Sequence, residues 1–334
     1  RFQNPNTHLH KMITSILDHK TYVRPSDIAP TIINMLECVP RIKSLLKAYS
    51  QGNLKKSDRE TISILAGSPL LLKLMSICPL VDLEFEAILN YIRSRLLSSV
   101  LEFNENPDLV RFQSALALQC FINEYIFNQL DADIEPLARL EKLVEETLHS
   151  GKQPSPYSIL CLASYKPLNK YHWCDLLIVT NEIEEVYIRQ IIEPREEISL
   201  KDNIPFLEEI KDIVSSAVRE QYESNPYPRW VNLGLPLKPA AVYEFVAALQ
   251  LNLFDNKINE VDGPDILIAG CGTGQHSISS ATRLKDAKVL AIDLSSSSLA
   301  YAKRKTQELA LANIEYMQAD ILDLGKLHRQ FDII

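Results

Sequence analysis

The stretch Asp265-Ile-Leu-Ile-Ala-Gly-Cys-Gly-Thr-Gly-Gln275, followed by an acid at Asp293, decides the fold. Asp265 to Ala269 is a short apolar run without alternation, the pattern of a parallel strand covered on both faces. Gly270, Gly272 and Gly274 then permit a tight strand-to-helix turn and let a ligand approach the backbone. Thr273–Arg283 predicts a helix whose free N–H groups favour an anionic group. Lys288 to Ile292 predicts a second strand. It ends at Asp293, nineteen residues past Gly274, where a carboxylate can accept hydrogen bonds from ribose hydroxyls. A nicotinamide fingerprint requires glycine or alanine where Gln275 stands. A phosphate loop requires Gly-Lys-Ser/Thr, which is absent.

Working outward, Ser295–Leu311 predicts an amphipathic helix, and 313–320 a third strand ending in another acid, Asp320. Ile321 to Leu324 follows, and Phe331 begins a fourth strand. With Gly270-Cys-Gly-Thr-Gly274, Ala291-Ile-Asp-Leu-Ser295, Gln318-Ala-Asp-Ile321 and Phe331-Asp-Ile333 in this order, residues 265–334 resemble the N-terminal half of a class I S-adenosylmethionine (SAM)-dependent methyltransferase. The expected fold class is therefore α/β, a Rossmann-like doubly wound domain cut short on its C-terminal side and preceded by a mostly α-helical domain. The sheet is expected to continue past Ile334, because a strand edge would otherwise be left open. The resemblance implies SAM as cofactor. It implies that Gly270, Gly272 and Gly274 line its methionyl part, with Cys271 and Thr273 in the same cofactor-binding loop, and that Asp293 holds the ribose. Leu294 then packs on the adenine, Asp320 receives the adenine amino group, and Ile321 forms an apolar wall.

A length of 334 residues allows two or three domains. The net charge of −8 weighs against a broad nucleic-acid-binding face. The basic residues Lys43, Lys47, Lys55, Lys56 and Arg59 read as a solvated face and loop. The six cysteines are scattered, with no Cys/His metal spacing, so no metal is expected. Buried thiols and a reducing cytoplasm fit them. No signal peptide and no membrane-spanning stretch is seen, so no membrane partner is expected.

The first 150 residues predict helices at 7–19, 26–49, 57–78, 83–103, 108–130 and 134–149, punctuated by prolines. Residues 151–236 are expected to form a mixed connecting region, rich in proline up to about residue 205, and 237–334 the SAM-type domain. The acidic segment 181–209 reads as solvated helix or loop. A helix over 207–223 should turn Ile210, Ile213 and Val214 inward. One over 237–254 should do the same with Val242, Phe245, Val246, Leu249 and Leu253.

Between them stands Gln221-Tyr-Glu-Ser-Asn-Pro-Tyr-Pro-Arg-Trp230. Its prolines force an extended path, its aromatics offer flat faces with polar edges, and Arg229 offers a fork for a carboxylate. The chain is similar here to bacterial methyltransferases in which tetratricopeptide or other helical segments precede the SAM domain and which carry such a motif. That resemblance implies a lid, with Tyr222, Tyr227 and Arg229 at the cofactor or substrate mouth. A rigid linker, with Trp230 in the core, is the alternative.

Transfer of a methyl from a sulfonium needs alignment and exclusion of water, with a general base only if the acceptor must lose a proton. No catalytic residue is assigned. His276, beside the glycine loop, reads first as a helix-surface residue. The acceptor is unidentified, with a protein or small molecule favoured. A non-catalytic scaffold on the same domain and another nucleotide-using α/β enzyme are the competing readings.

Overall fold

The computed structural model describes residues 4–54, 57–100, 107–224 and 226–334. Lys55, Lys56, the end of the helix expected to reach Phe103, and Asn225 lie outside the described residues. The chain divides into two units. One takes in residues up to Pro194 together with Trp230–Leu233, and the other Arg195–Arg229 with Gly234–Ile334.

The first unit is helical: α1 (Thr7–Asp18), α2 (Pro25–Glu37), α3 (Pro40–Ser50), α4 (Asp58–Ala66), α5 (Pro69–Ile77), α6 (Leu83–Ser99), α7 (Pro107–Ile122), α8 (Asp131–His149), α9 (Pro156–Ala163) and the short α10 (Glu184–Tyr187). Two expected long helices are each split. Pro40 cannot continue a helix but can start one, so α2 ends and α3 begins there. At Pro69 the same happens. The Ser68 hydroxyl accepts the Leu71 N–H as a new N-cap, and the α4 and α5 axes diverge by 83°. The helix expected to reach Leu130 stops at Ile122, because Glu124 and Tyr125 take left-handed φ values of 57° and 56°.

Residues 151–194 are not a separate connector. Leu168, Tyr171, Trp173, Ile183, Val186 and Ile191 belong to the same buried core as α1–α9. Trp230–Leu233 also belongs to this unit. Asn232 Nδ2 donates to Leu17 O at 2.7 Å, the Leu233 N–H donates to Lys20 O at 2.8 Å, and Trp230 is buried. The packing alternative for Trp230 is the one observed.

The second unit holds α11 (Glu193–Lys201) from Arg195 onward, α12 (Ile213–Ser224), α13 (Val242–Ala248), β1 (Asp265–Ala269), α14 (Gln275–Arg283), β2 (Lys288–Asp293), α15 (Ser296–Glu308) and β3 (Ile314–Gln318). The strands are parallel in the order β1-β2-β3. Ile333 bridges Ile266 on the outer side of β1. That arrangement is consistent with the doubly wound order. Val289, Leu290, Ala291 and Ile292 are all buried, as a strand covered on both faces requires.

Two helix expectations are corrected. Residues 205–207 pair alongside β3, with the Leu207 N–H donating to Gln318 O, so α12 starts only at Ile213. Ile210 is buried as expected, but Ile213 and Val214 are 84% and 71% exposed. Ala240 pairs with the Arg283–Lys285 backbone, which delays α13 to Val242, and Gln250 at φ 53° follows its end. Val242, Phe245 and Val246 pack inward, whereas Leu249 is exposed. Glu197, expected to be solvated in the acidic segment, is buried against Arg304.

Candidate cofactor site at the strand ends

The glycine loop leaves β1 in three left-handed steps, with φ 76° at Gly270, 53° at Gly272 and 84° at Gly274. The three glycines serve two purposes. A side chain on Gly272 would meet nothing within 4 Å, and one on Gly270 only Ile321 Cδ1 at 3.9 Å. Both therefore open onto free space. A Cβ on Gly274 would lie 2.5 Å from Ala302 Cβ. This glycine exists so that α15 can approach the loop.

Asp293 ends β2 beside that loop. Its Oδ2 accepts the Gly272 N–H at 2.7 Å and its Oδ1 the Ser295 N–H at 2.9 Å. Burial pushes its carboxyl above the ordinary value, the backbone donors oppose this, and the nearby charge of Glu223 adds to it. Asp320, also buried, accepts the Leu322 N–H at 3.0 Å and caps the turn that begins at Ile321.

These residues surround a cleft of about 440 Å³, within the range of roughly 300–1,000 Å³ usual for small-molecule sites. Gly270, Gly272, Asp293, Leu294, Asp320, Ile321, Tyr222 and Tyr227 line it. Four other expected site residues stand elsewhere. The Cys271 thiol is packed in the core, where burial and then the charge of Asp293 hold it well above its ordinary value. Thr273 Oγ1 donates to Pro228 O at 2.9 Å, tying the loop to the Tyr-Pro segment. Gly274 faces Ala302 and the Tyr316 hydroxyl. The Arg229 guanidinium lies 3.7 Å from the Glu197 carboxylate and 5.9 Å from the Tyr301 ring centroid, not along the cleft. A buried carboxylate has taken the fork that the sequence offered to a ligand. His276 is exposed on α14 and does not line the cleft.

The sequence reading missed Ser215, Val218, Ser298 and Ala319, which complete the lining. It also missed Glu223, which does not line the cleft but holds the helix next to it. Glu223 is the last acid of α12 and sits on the first turn of α15. Its Oε1 accepts the Ser296 N–H at 2.9 Å and hydroxyl at 2.8 Å. Its Oε2 accepts the Ser297 N–H at 3.1 Å and the Lys201 ammonium at 2.8 Å. Burial pushes this carboxyl up, but Lys201 and the Ser296 and Ser297 donors outweigh it and bring it down to about 2. The signal was present in the run Ser295-Ser-Ser-Ser298, three of whose hydroxyls follow the N-cap. Glu223 also stands inside the quoted motif, where the aromatics and Arg229 drew the assignment.

An uncharacterized protein of Synechococcus sp. is 28% identical over 136 residues, 40% of this chain and 32% of that protein. The chain thus spans about one third of that relative's length. Residues 266–334 match the family model described as a methyltransferase domain. By this match the chain combines a methyltransferase domain with a mostly helical region.

Proposed function

We propose that this chain binds SAM in the cleft at the ends of β1, β2 and β3 and belongs to an enzyme that transfers its methyl group to a protein or small-molecule acceptor. The observation that carries the reading is Asp293. It lines the cleft beside two glycines whose missing side chains leave open space, and its carboxylate, held at the end of β2 by backbone N–H groups, is an acceptor suited to hydroxyl donors. The residues fit the group. Asp293 would hold the ribose hydroxyls and Asp320 the adenine amino group, between the apolar walls of Leu294 and Ile321. The methionyl part would run along the backbone of Gly270 and Gly272.

When bound, SAM supplies a methyl group already activated on a sulfonium. The chain's own part is to orient and to exclude water. Tyr222 and Tyr227 stand at the rim of the cleft for that purpose. Glu223 fixes the end of α12 to the start of α15, and Thr273 fixes Pro228 to the glycine loop. Arg229 has a positioning role here, holding the same segment through Glu197. The net charge of −8 supports a protein or small-molecule acceptor over bulk nucleic acid.

Titration calorimetry of the chain with SAM, S-adenosylhomocysteine and NAD tests the reading. The two adenosyl-sulfur ligands should bind and NAD should not. Asp293→Ala should weaken both by about 1.5–3 kcal/mol, the worth of hydrogen bonds to a charged group. Unchanged affinity in a folded variant would remove the ribose assignment. Binding of NAD without SAM would overturn the cofactor class.

A further inference from the structure

We propose that Glu145, His149 and His172 form a binding site for a zinc-class divalent cation on the helical unit. A Glu145 carboxylate oxygen and one ring nitrogen from each histidine all lie within 4.8 Å of one another. Glu145 and His149 are four residues apart on α8, so their side chains share one face. His172 comes from a distant part of the chain. Its Nε2 stands 3.0 Å from Glu145 Oε1, and its ring centroid 6.4 Å from that of His149. No spacing in the sequence announces this grouping, because the third ligand is brought in by the fold.

The loop that carries His172 is anchored. Tyr171 and Trp173 on either side of it are buried, and their rings stack at 4.6 Å. The Tyr171 hydroxyl donates to Glu141 Oε1 at 2.9 Å, one turn before Glu145 on the same helix. Between these anchors the His172 side chain is 70% exposed over α8. The backbone is thus held in place, and the exposed ring can turn toward an ion. His149 is also the last residue of α8. A cation there sits at the negative end of the helix dipole.

Two imidazoles and one carboxylate suit zinc and leave a fourth position for water. Zinc holds nitrogen and oxygen ligands at about 2.0–2.2 Å, so the observed group closes onto an ion by rotation of exposed side chains. Binding would join α8 to the loop after α9, two stretches that meet only in the folded chain. It would therefore stabilise the native state.

The experiment is calorimetric titration of the metal-stripped chain with zinc sulfate, and in parallel with magnesium chloride, together with melting curves. One equivalent of zinc should bind and raise Tm, and magnesium should do neither. His149→Ala and His172→Ala should each weaken zinc by more than about tenfold, the loss expected even for a supporting residue. They should abolish the rise in Tm while circular dichroism stays unchanged. His328→Ala, remote in sequence from the three ligands, should leave zinc binding intact. Absence of stoichiometric zinc binding would overturn the proposal. So would zinc binding that survives both histidine substitutions, since it would then belong to other ligands. Neither outcome bears on SAM binding.

Discussion

In the helical unit Arg93 is buried among carbonyls. It donates to Ser164 O at 3.4 Å, Phe127 O at 3.2 Å and Asn128 O at 2.9 Å, and it lies 4.4 Å from the Tyr165 ring centroid. In the α/β unit Glu223 and Asp293 are enclosed instead by N–H groups, at the first turn of α15 and at the glycine loop. The sign of each of these three charges follows from the backbone groups that surround it. Ser164 is the C-cap of α9, and Phe127 and Asn128 lie in the loop between α7 and α8, so backbone carbonyls from a helix end and a loop collect there and a cation satisfies them. At the strand ends of the α/β unit it is helix starts that collect, and carboxylates satisfy them. In the second arrangement Asp293 lines a cleft. The same device thus builds a core in one unit and a site in the other.

The sharpest way to break this contrast lies within the glycine loop. Gly274→Ala should cost about 3–5 kcal/mol, because left-handed strain and overpacking against Ala302 add. Gly272→Ala, with open space around it, should cost only about 1–2 kcal/mol of left-handed strain and act chiefly on ligand affinity. Equal losses in urea denaturation would show that the two glycines do not differ in role.

Arg93→Met keeps the apolar stem but strands the carbonyls. It should cost about 3 kcal/mol, with the loss of hydrogen-exchange protection confined to the helical unit. Protection lost in the α/β unit as well would mean that the two polar centres are not independent.

Glu223→Gln should cost about 1.5–3 kcal/mol in the α/β unit. Its pH dependence sharpens the comparison further. The Glu223 carboxyl falls from an ordinary 4.5 to about 2. Its stabilisation is therefore complete above about 4.5 and is lost as pH falls through about 2. Asp293 shifts the opposite way, upward from 3.8, so its ionisation opposes folding and its protonation favours it. The glutamine variant should flatten the acid limb of the stability curve between those two pH values. An unchanged acid limb would remove Glu223 from its clamp.

Much of the second unit was legible because its signals are local. The uninterrupted apolar runs of β1 and β2, the glycines between them and the acids at the strand ends each depend on neighbours a few residues away. The helical unit was legible as helical, but the helices expected over 26–49 and 57–78 run across the breaks at Pro40 and Pro69. Periodicity continues across a proline even where the axis does not. Within the Gln221–Trp230 motif, the tyrosines line the cleft as the lid reading expects, whereas the charged residues find partners that the motif does not announce. Arg229 faces Glu197 and Glu223 faces Ser296 and Ser297, and both pairings join residues far apart in the chain.

The sequence by itself determined the strand–glycine–helix order, the carboxylate at Asp293 and the helical character of what precedes it, because backbone conformation and strand burial are dictated by short-range patterns. Only the tertiary structure decided which glycines face open space and which faces a helix, that 151–194 completes the helical core, and that Glu145, His149 and His172 meet. Those outcomes depend on which surfaces of distant segments come into van der Waals contact, and no spacing along the chain encodes that distance.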